Sequence, residues 1–364
     1  MAHYDFLVVG CGMFGAVFAQ QMTERGKKVL VIEKRTHIGG NCYTENIEGI
    51  NIHKYGPHIF HTSDEAVWQY VNRFSKFNNF VNRPKVRFRD QLYSFPINLM
   101  TLYQLWGVTS PTEARHKLEE AAIPNANPRN LEEWILSQVG REIYEIFVKG
   151  YTTKQWGKYP KELPASIMQR IPIRLNFDDS YYDTRYQGIA IGGYTRMFER
   201  MLEGIDVRLN TDYFNDCRHW DSIADAIVYT GKIDECFDYR FGELEYRGLR
   251  FETKILEGDY QGNAVINYTE YDVPFTRITE HKHFEFLDTG KTTVTWEYPD
   301  EYDKTKIPYY PINDERNDKL YSLYKAQADK RSSLILGGRL ATYAYLDMGQ
   351  TIASAIEVCK SLPA

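Results

Sequence analysis

The pattern of apolar and polar residues at the start of the chain predicts a strand, a helix and a second strand. The apolar residues 6–9 run into a glycine-rich turn at residues 10–15, and a helical pattern follows over residues 14–25. A second apolar run, Val29–Ile32, ends at Glu33. A strand, a glycine turn, a helix and a strand within about thirty residues indicate a βαβ unit with parallel strands.

The three glycines of the turn indicate that this unit binds a dinucleotide. Gly10 permits the tight turn, Gly12 lets the backbone approach a pyrophosphate, and Gly15 lets the helix pack closely on the strand. The unpaired N–H groups at the start of the helix then face the phosphates. Glu33 ends the second strand, where its carboxylate can accept hydrogen bonds from the hydroxyls of the adenosine ribose. The alternative is that Glu33 is a solvated carboxylate at the end of a strand.

The residues after the second strand favour FAD over NAD. Lys34 and Arg35 lead to the pair Gly39-Gly40 and to Asn41. This arrangement is similar to the extended fingerprint of FAD-binding oxidase-type flavoproteins. A second glycine turn brings the backbone against the cofactor again.

Residues 98–150 are dominated by helical patterns. Ser110 and Glu113 form a capping box with Pro111 at the first helical position, and Asn130 begins a second helix by the same logic. Apolar residues at helical spacing after Asn130 form a core stripe. We interpret this block as an insertion between parts of the nucleotide-binding fold.

The second half of the chain is richer in strand patterns. Residues 264–268, 283–287 and 292–298 alternate and predict antiparallel strands. Two apolar runs, at 226–230 and 334–336, end in glycine and predict further parallel strands. A helix over residues 348–359 closes the chain.

These elements predict an α/β fold in which a discontinuous Rossmann-like FAD-binding domain carries an inserted helical bundle and an antiparallel sheet domain. The predicted domains are 1–77, 188–242 and 311–364 for FAD binding, 96–170 for the helical substrate domain, and 78–95, 171–187 and 243–310 for the sheet domain.

Composition and charge exclude several classes. The net charge of −5 argues against a general nucleic-acid or anionic-membrane surface. No apolar run reaches the roughly twenty residues that span a bilayer. Five cysteines without metal or redox spacing indicate reduced thiols in a cytoplasmic protein. His53, His58 and His61 lack a supporting acid or cysteine pattern, so we predict no metal site and place one of these histidines beside the cofactor ring.

Tyrosine is the compositional exception, with 28 copies. Between residues 147 and 183, tyrosine, tryptophan and arginine mix without helical or strand periodicity. Aromatic rings and guanidinium groups suit a planar, phosphorylated or sugar ligand.

Long motifs over nearly the whole chain resemble those of the bacterial UDP-galactopyranose mutase family. They are Gly10 to Gly15 with Ile38-Gly39-Gly40-Asn41, Lys54-Tyr55-Gly56-Pro57-His58-Ile59-Phe60-His61, Lys149-Gly150-Tyr151-Thr152 with Lys154-Gln155-Trp156, Arg170-Ile171-Pro172, Tyr186-Gln187-Gly188, Asp238-Tyr239-Arg240-Phe241-Gly242, Pro274-Phe275-Thr276-Arg277, Tyr309-Tyr310-Pro311, and Gly337-Gly338-Arg339-Leu340-Ala341 with Tyr345 and Asp347.

The resemblance implies a flavin-dependent isomerase that converts UDP-galactopyranose to UDP-galactofuranose without net redox change. In such enzymes N5 of reduced FAD attacks the anomeric carbon and expels UDP, and the resulting flavin–sugar iminium permits ring opening and contraction. The resemblance implies that the product supplies galactofuranose for cell-surface polysaccharide. The resemblance also implies a homodimer.

The resemblance further implies site residues. Arg170 and Arg277 would clamp the diphosphate, since bidentate guanidinium geometry suits it; ion pairs with Asp178 or Glu280 are the alternative. His58 and Arg339 would act beside the isoalloxazine. The substrate-binding residues would be Asn82, Phe147, Tyr151, Thr152, Trp156, Arg170, Tyr181, Arg277, Tyr310 and Tyr345. For Phe147, Tyr151 and Trp156, a place in the apolar core is the alternative. The cofactor-binding residues would be Gly10, Gly12, Phe14, Gly15, Glu33, Lys34, Arg35, Gly39, Gly40, Asn41, His58, Ile59, Gly338, Arg339, Asp347 and Met348. Asp347 either contacts the cofactor or caps the last helix.

Three alternatives stay open at this point. An amine- or porphyrinogen-oxidase-like flavoenzyme would share the cofactor domain but needs an apolar substrate tunnel. A non-catalytic flavin or nucleotide-sugar binding module would bind without reacting. A mutase for the N-acetylated sugar would differ only in the room around C2.

Overall fold

The computed structural model describes residues 3–165 and 172–363, which form two compact units. The first unit comprises Met1–Asn79, Thr184–Tyr246 and Pro308–Ala364, and the second comprises Phe80–Asp183 and Arg247–Ile307. The second unit contains both the helical segment and the antiparallel strands that we assign to separate domains from the sequence. The division into three domains remains a prediction.

The strands and helices are numbered in chain order. The strands β1 to β16 are Tyr4–Val9, Val29–Ile32, Thr44–Ile47, Ile50–His53, Phe60–Thr62, Lys85–Phe88, Gln91–Ser94, Tyr186–Gly188, Asp206–Arg208, Ala224–Tyr229, Tyr246–Glu257, Val265–Tyr268, Arg277–Glu280, Lys291–Glu301, Tyr310–Pro311 and Leu334–Leu336. The helices α1 to α12 are Met13–Glu24, Glu65–Val71, Leu99–Trp106, Pro111–Ala121, Leu131–Ile143, Gly150–Trp156, Tyr194–Met201, Cys217–Ser222, Ile233–Cys236, Glu315–Ala328, Gly338–Ala341 and Met348–Ser361.

A parallel sheet in the order β16-β10-β1-β2-β9 organises the first unit. In β1, Phe6 and Val8 pack in a cluster with residues of α1 and α12. Leu7 packs in a separate cluster with Trp220 and Ile227. Because the sheet is covered on both faces, its central strands are apolar throughout, which explains the clear signal in the sequence.

The edge strand β9 is the element of this sheet that the sequence analysis misses. It pairs with β2 through Val207, opposite Val31. β9 has three residues, and both Asp206 and Arg208 are exposed. A strand this short and polar carries no hydrophobic pattern, so only its pairing identifies it.

The second unit contains a sheet in the order β11-β14-β13-β12-β6-β7, in which β12 and β6 are parallel and the other pairs are antiparallel. The strand predicted at residues 283–287 is wrong. A 3₁₀ helix, His281–Glu285, takes its place and ends at Phe286, whose φ is +55°. Phe284 is buried but Phe286 is exposed, so the alternation does not continue on one face.

Two helices of the second unit, α4 and α5, begin where their caps predict. Ser110 and Glu113 form the capping box of α4, and Asn130 caps α5. The sequence pattern does not predict how α5 continues. Gly140 has a φ of +75°, and a π-helical stretch, Tyr144–Lys149, joins α5 to α6. A Cβ at Gly140 would lie 2.2 Å from the carbonyl oxygen of Ala121, so glycine permits this close packing.

Candidate active site

The first turn of α1 has no side-chain cap. Its N-cap residue is Gly12, and no side chain accepts a hydrogen bond from the first N–H groups there. By contrast, Asp64, Asn98 and Asp347 cap α2, α3 and α12 with their side chains. Uncapped N–H groups and the positive end of the helix dipole suit an anion such as a pyrophosphate.

Glycine turns from distant parts of the chain meet around this helix end. A Cβ at Gly10, whose φ is +103°, would lie 2.1 Å from Oγ1 of Thr230. A Cβ at Gly40 would lie 2.9 Å from Cα of Gly12, and one at Gly337 would lie 2.1 Å from the ring of Phe14. Glycine thus lets these three turns lie closer to their neighbours around the start of α1 than a residue with a Cβ could. Such a cradle fits a dinucleotide.

Glycine also sets the contact between helix and strand, because a Cβ at Gly15 would lie 2.1 Å from the carbonyl oxygen of Gly10. Gly39 and Gly338 both have positive φ, of +87° and +78°. Their turns therefore favour glycine.

Charged groups complete the cradle. The buried carboxylate of Glu33 accepts hydrogen bonds from the backbone N–H groups of Cys11 and Arg35, at 2.8 and 2.9 Å. A carboxylate has about four acceptor positions, so Glu33 can still accept ribose hydroxyls. Arg35 donates from Nη2 to Asn41, and its buried Nη1 has no hydrogen-bond partner among the described residues. An unpaired buried donor fits an anionic ligand.

His58 has a defined tautomer if its ring is neutral. Its Nδ1 lies 2.7 Å from the carbonyl oxygen of Gly56, which can only accept, so Nδ1 carries the proton and Nε2 is the acceptor. Two other residues predicted to bind the cofactor differ in exposure. Ile59, which follows His58, is buried, and Lys34 is exposed.

Arg339, Tyr310 and Tyr345 form one group in the first unit. The guanidinium of Arg339 donates from Nε and Nη2 to the carbonyl oxygen of Leu346 and from Nη1 to that of Tyr309. Its Cζ lies 4.8 Å from the ring centroid of Tyr345 and 5.9 Å from that of Tyr310. The two rings stack with centroids 5.7 Å apart. The structure thus brings together one residue predicted for the cofactor and two predicted for the substrate.

Asp347 caps the last helix. Its side chain accepts from the N–H of Gln350 at 2.7 Å, and the N–H of Asp347 donates to Oε1 of Gln350 at 3.0 Å. Met348 is the first residue of α12. The side chain of His61 lies 3.8 Å from Asp347. Of the two roles left open by the sequence, the structure shows the cap.

An aromatic group in the second unit contains several predicted substrate residues. Phe147 lies in the π-helical stretch, 5.4 Å from Tyr93 and 6.3 Å from Phe95 between ring centroids. Phe95 also lies 6.1 Å from Tyr181, whose N–H donates to the carbonyl oxygen of Asn82 at 2.8 Å. Tyr151, Thr152 and Trp156 follow on α6.

Arg277 begins β13 and lies beside a buried acid. Its Nε is 2.8 Å from Oε1 of Glu297, the residue directly opposite on β14. Only 1% of Glu297 is exposed. The acids that the sequence analysis names as alternatives bond elsewhere: Asp178 lies 3.5 Å from Arg174, and Glu280 accepts from Tyr260 and Gln261. Arg170 lies outside the described residues.

Glu297 is a residue that the sequence analysis misses. Its signal is weak, because a single acid in an alternating strand normally faces solvent. Only the register between β13 and β14 places it opposite Arg277.

Ligand atoms of Asp259, Glu280 and His283 lie within 4.8 Å of one another. The ammonium of Lys282, however, is 3.2 Å from Asp259, and Glu280 already accepts from Tyr260, Gln261 and Thr292. We therefore assign these groups to structure rather than to a metal.

The sheet, the uncapped helix and the glycine turns define a Rossmann-type dinucleotide-binding protein. A family model described as an NAD(P)-binding Rossmann-like domain matches residues 8–74. The fold is similar to a crystal structure of reduced UDP-galactopyranose mutase, with a TM-score of 0.75 at 13% identity, covering 99% of this chain and 94% of the other. It is also similar to a fatty acid isomerase from P. acnes, with a TM-score of 0.61 at 12% identity, covering 98% of each chain.

A family model for UDP-galactopyranose mutase matches residues 146–345. The chain is 42% identical to a probable UDP-galactopyranose mutase of Klebsiella pneumoniae, covering 98% of this chain and 94% of the relative. It is 40% identical to a dTDP-fucopyranose mutase of Escherichia coli, covering 96% of each. The chain therefore belongs to the UDP-galactopyranose mutase family and is a flavin-dependent isomerase.

These comparisons confirm the predicted family and the α/β class with its Rossmann-like domain. Within the described residues, no helix combines the length and the apolar character needed to cross a bilayer.

Proposed function

We propose that this protein converts UDP-galactopyranose to UDP-galactofuranose and back. The observation that carries the proposal is the Arg277 guanidinium beside the fully buried Glu297, within the segment matched by the family model. The ion pair places the guanidinium charge beside β14, and the planar fork of a guanidinium suits a diphosphate.

Ring contraction requires the bond between C1 and the ring oxygen to break and a new bond to O4 to form. The flavin, when bound in its reduced form, supplies the nucleophile N5 for the anomeric carbon. The task of Arg277, and of Arg170 by family resemblance, is to hold the diphosphate while its bond to C1 breaks and forms again. A fixed cation lowers the cost of the charge that develops on the leaving diphosphate.

The second unit also offers groups for the rest of the nucleotide. Tyr151 and Trp156 on α6, with Phe147 beside them in sequence, provide stiff aromatic faces for uracil and ribose. Thr152, Asn82 and Tyr181 add hydrogen-bonding groups. By resemblance, Tyr310 and Tyr345 bind diphosphate oxygens.

In the first unit, His58 and Arg339 act on the cofactor side. The donors of Arg339 are held by backbone carbonyls, so its positive charge keeps a fixed place and would favour a reduced, anionic flavin. The acceptor Nε2 of neutral His58 is suited to an N–H donor.

Product analysis tests the proposal. We expect the purified flavin-loaded protein to convert UDP-galactofuranose to UDP-galactopyranose in the presence of dithionite and not in its absence. Arg277→Ala should reduce the rate by at least about a hundredfold, the usual effect of losing a transition-state charge partner. The exposed Arg250, which pairs with Glu252 on the same strand, provides the matched control, and Arg250→Ala should keep full activity. Absence of conversion in both redox states, with flavin bound, would exclude the proposal.

A second candidate substrate follows from the dTDP-fucopyranose mutase relative at 40% identity. The two substrates differ in the base methyl, the ribose 2′-hydroxyl and the sugar C6 hydroxyl. We propose the uridine nucleotide as the preferred one. Parallel assays with both furanose forms should give the higher kcat/KM for UDP-galactofuranose, and the opposite order would reassign the substrate. The same assays should include UDP-N-acetylgalactofuranose, to test the alternative of a mutase for the N-acetylated sugar.

We further propose, on family resemblance alone, that the protein is a cytoplasmic homodimer whose product enters cell-surface polysaccharide. Sedimentation of the flavin-loaded protein should give twice the mass of 42.6 kDa.

A further inference from the structure

Lys154 is a buried cation with no assigned role in the reaction. It lies in α6, and 9% of it is exposed. Its Nζ donates to the carbonyl oxygens of Tyr268, Val273 and Phe275 at 2.8, 2.9 and 2.8 Å. Burial lowers the pKa of Lys154 to about 8, against the raising effect of Glu270, so the group keeps its three donors at neutral pH.

Two of the three carbonyls, those of Val273 and Phe275, belong to the connection between β12 and β13, and the third belongs to Tyr268, the last residue of β12. This connection, residues 269–276, leads directly into Arg277, the first residue of β13. The side chain of Lys154 therefore links two parts of the predicted nucleotide site. One is α6, which carries the residues predicted to bind the base, and the other is the segment that precedes Arg277, which is predicted to bind the diphosphate.

Two further contacts hold α6 in place. A Cβ at Gly150 would lie 2.1 Å from the carbonyl oxygen of Thr269, so the first turn of α6 packs on the same connection. At the other end, Arg247 donates from Nε to the carbonyl oxygen of Gln155 at 3.0 Å and from Nη2 to that of Lys154 at 3.3 Å. A cation at the end of a helix satisfies carbonyls that have no partner in the helix.

We propose that Lys154 is a positioning residue that aligns α6 with the connection ending at Arg277, so that base and diphosphate of one nucleotide are bound together. The inference rests on the proposed function, since it assigns the nucleotide to these residues. A displacement of about 1 Å between two binding groups is enough to lose much of their joint contribution.

UDP binding to the oxidised, flavin-loaded protein tests the inference without the reaction. We expect Lys154→Met, which keeps the aliphatic stem and loses the donors, to weaken UDP binding at least about tenfold in calorimetric titrations. Flavin content and visible absorption should not change. The exposed Lys161 lies in the same unit, and Lys161→Met should bind UDP as the wild type does.

A double-mutant cycle separates positioning from a general structural role. If Lys154 acts through the alignment of Arg277, the effects of the two changes should not be independent. The double variant, with Lys154→Met and Arg277→Ala together, should then lose clearly less UDP affinity than the product of the two single-variant fold-losses. Losses that multiply, or a Lys154→Met variant that binds UDP normally, would overturn the inference. Wild-type protein that does not bind UDP would instead refute the proposed function. If Lys154→Met does not fold, Lys154→Gln, which retains two donors, replaces it in the same cycle.

Discussion

The buried carboxylate of Glu33 shows how single residues work in this protein. It accepts two backbone hydrogen bonds within the turn that it helps to shape, and it keeps acceptor positions for a ligand. Glu297 and Lys154 are likewise buried charges beside groups of opposite polarity. An unpaired buried charge would be costly, so each such residue predicts a measurable loss when it is changed.

Replacing Glu33 tests its predicted contact with the cofactor. Glu33→Gln keeps the size of the side chain but loses the charge that strengthens hydrogen bonds from ribose hydroxyls and from the backbone. We expect FAD affinity, measured by fluorescence titration of the apoprotein, to fall at least about tenfold. Glu24→Gln, at the exposed end of α1, is the matched control. An unchanged affinity in Glu33→Gln would assign this carboxylate to structure alone.

The pKa of Glu280 predicts that the folded protein loses stability at low pH. Burial by itself would raise its pKa, but hydrogen bonds from His283, from the N–H groups of Tyr260 and Gln261 and from Thr292 lower the pKa to about 2. Because the pKa is below the ordinary 4.5, the folded state gains stability above pH 4.5 and loses it as the pH falls towards 2. The lowering of the pKa from 4.5 to about 2 corresponds to about 3 kcal/mol of unfolding free energy.

Thermal midpoints between pH 6 and pH 3 measure this effect. The wild-type midpoint should fall steeply below pH 4.5, the ordinary pKa of the group. Glu280→Gln should start from a lower midpoint and show a shallower fall, because its side chain has no proton to gain. Parallel curves for the two proteins would contradict the assignment.

Helix α6 illustrates what decides the position of an element. It has seven residues and continues the π-helical stretch Tyr144–Lys149, and Lys154, Arg247 and the close approach at Gly150 add contacts that hold it against the sheet. Four consecutive residues, from Thr152 to Gln155, are buried. A helix this enclosed shows no amphipathic pattern, which explains why its surroundings are not visible in the sequence.

Gly150→Ala tests this packing. The new Cβ would meet the backbone of Thr269 at 2.1 Å, where no side chain can move aside, so α6 must shift. We expect a loss of about 1–3 kcal/mol in unfolding free energy, visible as a lower thermal midpoint, together with weaker UDP binding. Gly290→Ala is the matched control, since nothing lies within 4 Å of its Cβ position. Equal midpoints in the two variants would show that α6 tolerates the shift.

For the whole molecule, we expect a bound cofactor to stabilise the folded state. Gly10–Gly15, Gly39–Gly40, Thr230 and Gly337 come from distant parts of the chain and meet at one helix end. A ligand that binds only this folded arrangement stabilises the whole first unit.

Removal of the flavin should therefore lower the thermal midpoint. FAD restored at a hundred times its Kd should recover about 2.7 kcal/mol. NAD at the same concentration is the control, because the second glycine turn favours FAD. An equal effect of NAD would contradict the prediction of a flavin site.

Much of the cofactor half was visible in the sequence because its signals are local. The turn, the start of α1 and Glu33 lie within a short span, and their spacing alone specifies the chemistry. Capping of α4 by Ser110 and of α5 by Asn130 was likewise correctly predicted, because a cap involves residues three positions apart. The strand predicted at 283–287 failed because alternation over five residues also occurs where the chain turns.

Local patterns in the sequence are enough to predict the βαβ unit, the glycine turn, the family motifs and the types of residue at the site. The partners of these residues become known only from the fold. Gly337 lies against Phe14, Glu297 opposite Arg277, and Lys154 on the carbonyls before β13. The physical reason is that a carbonyl or a backbone approach carries no side-chain signature, so its partner is fixed by strand register and packing and not by any local pattern.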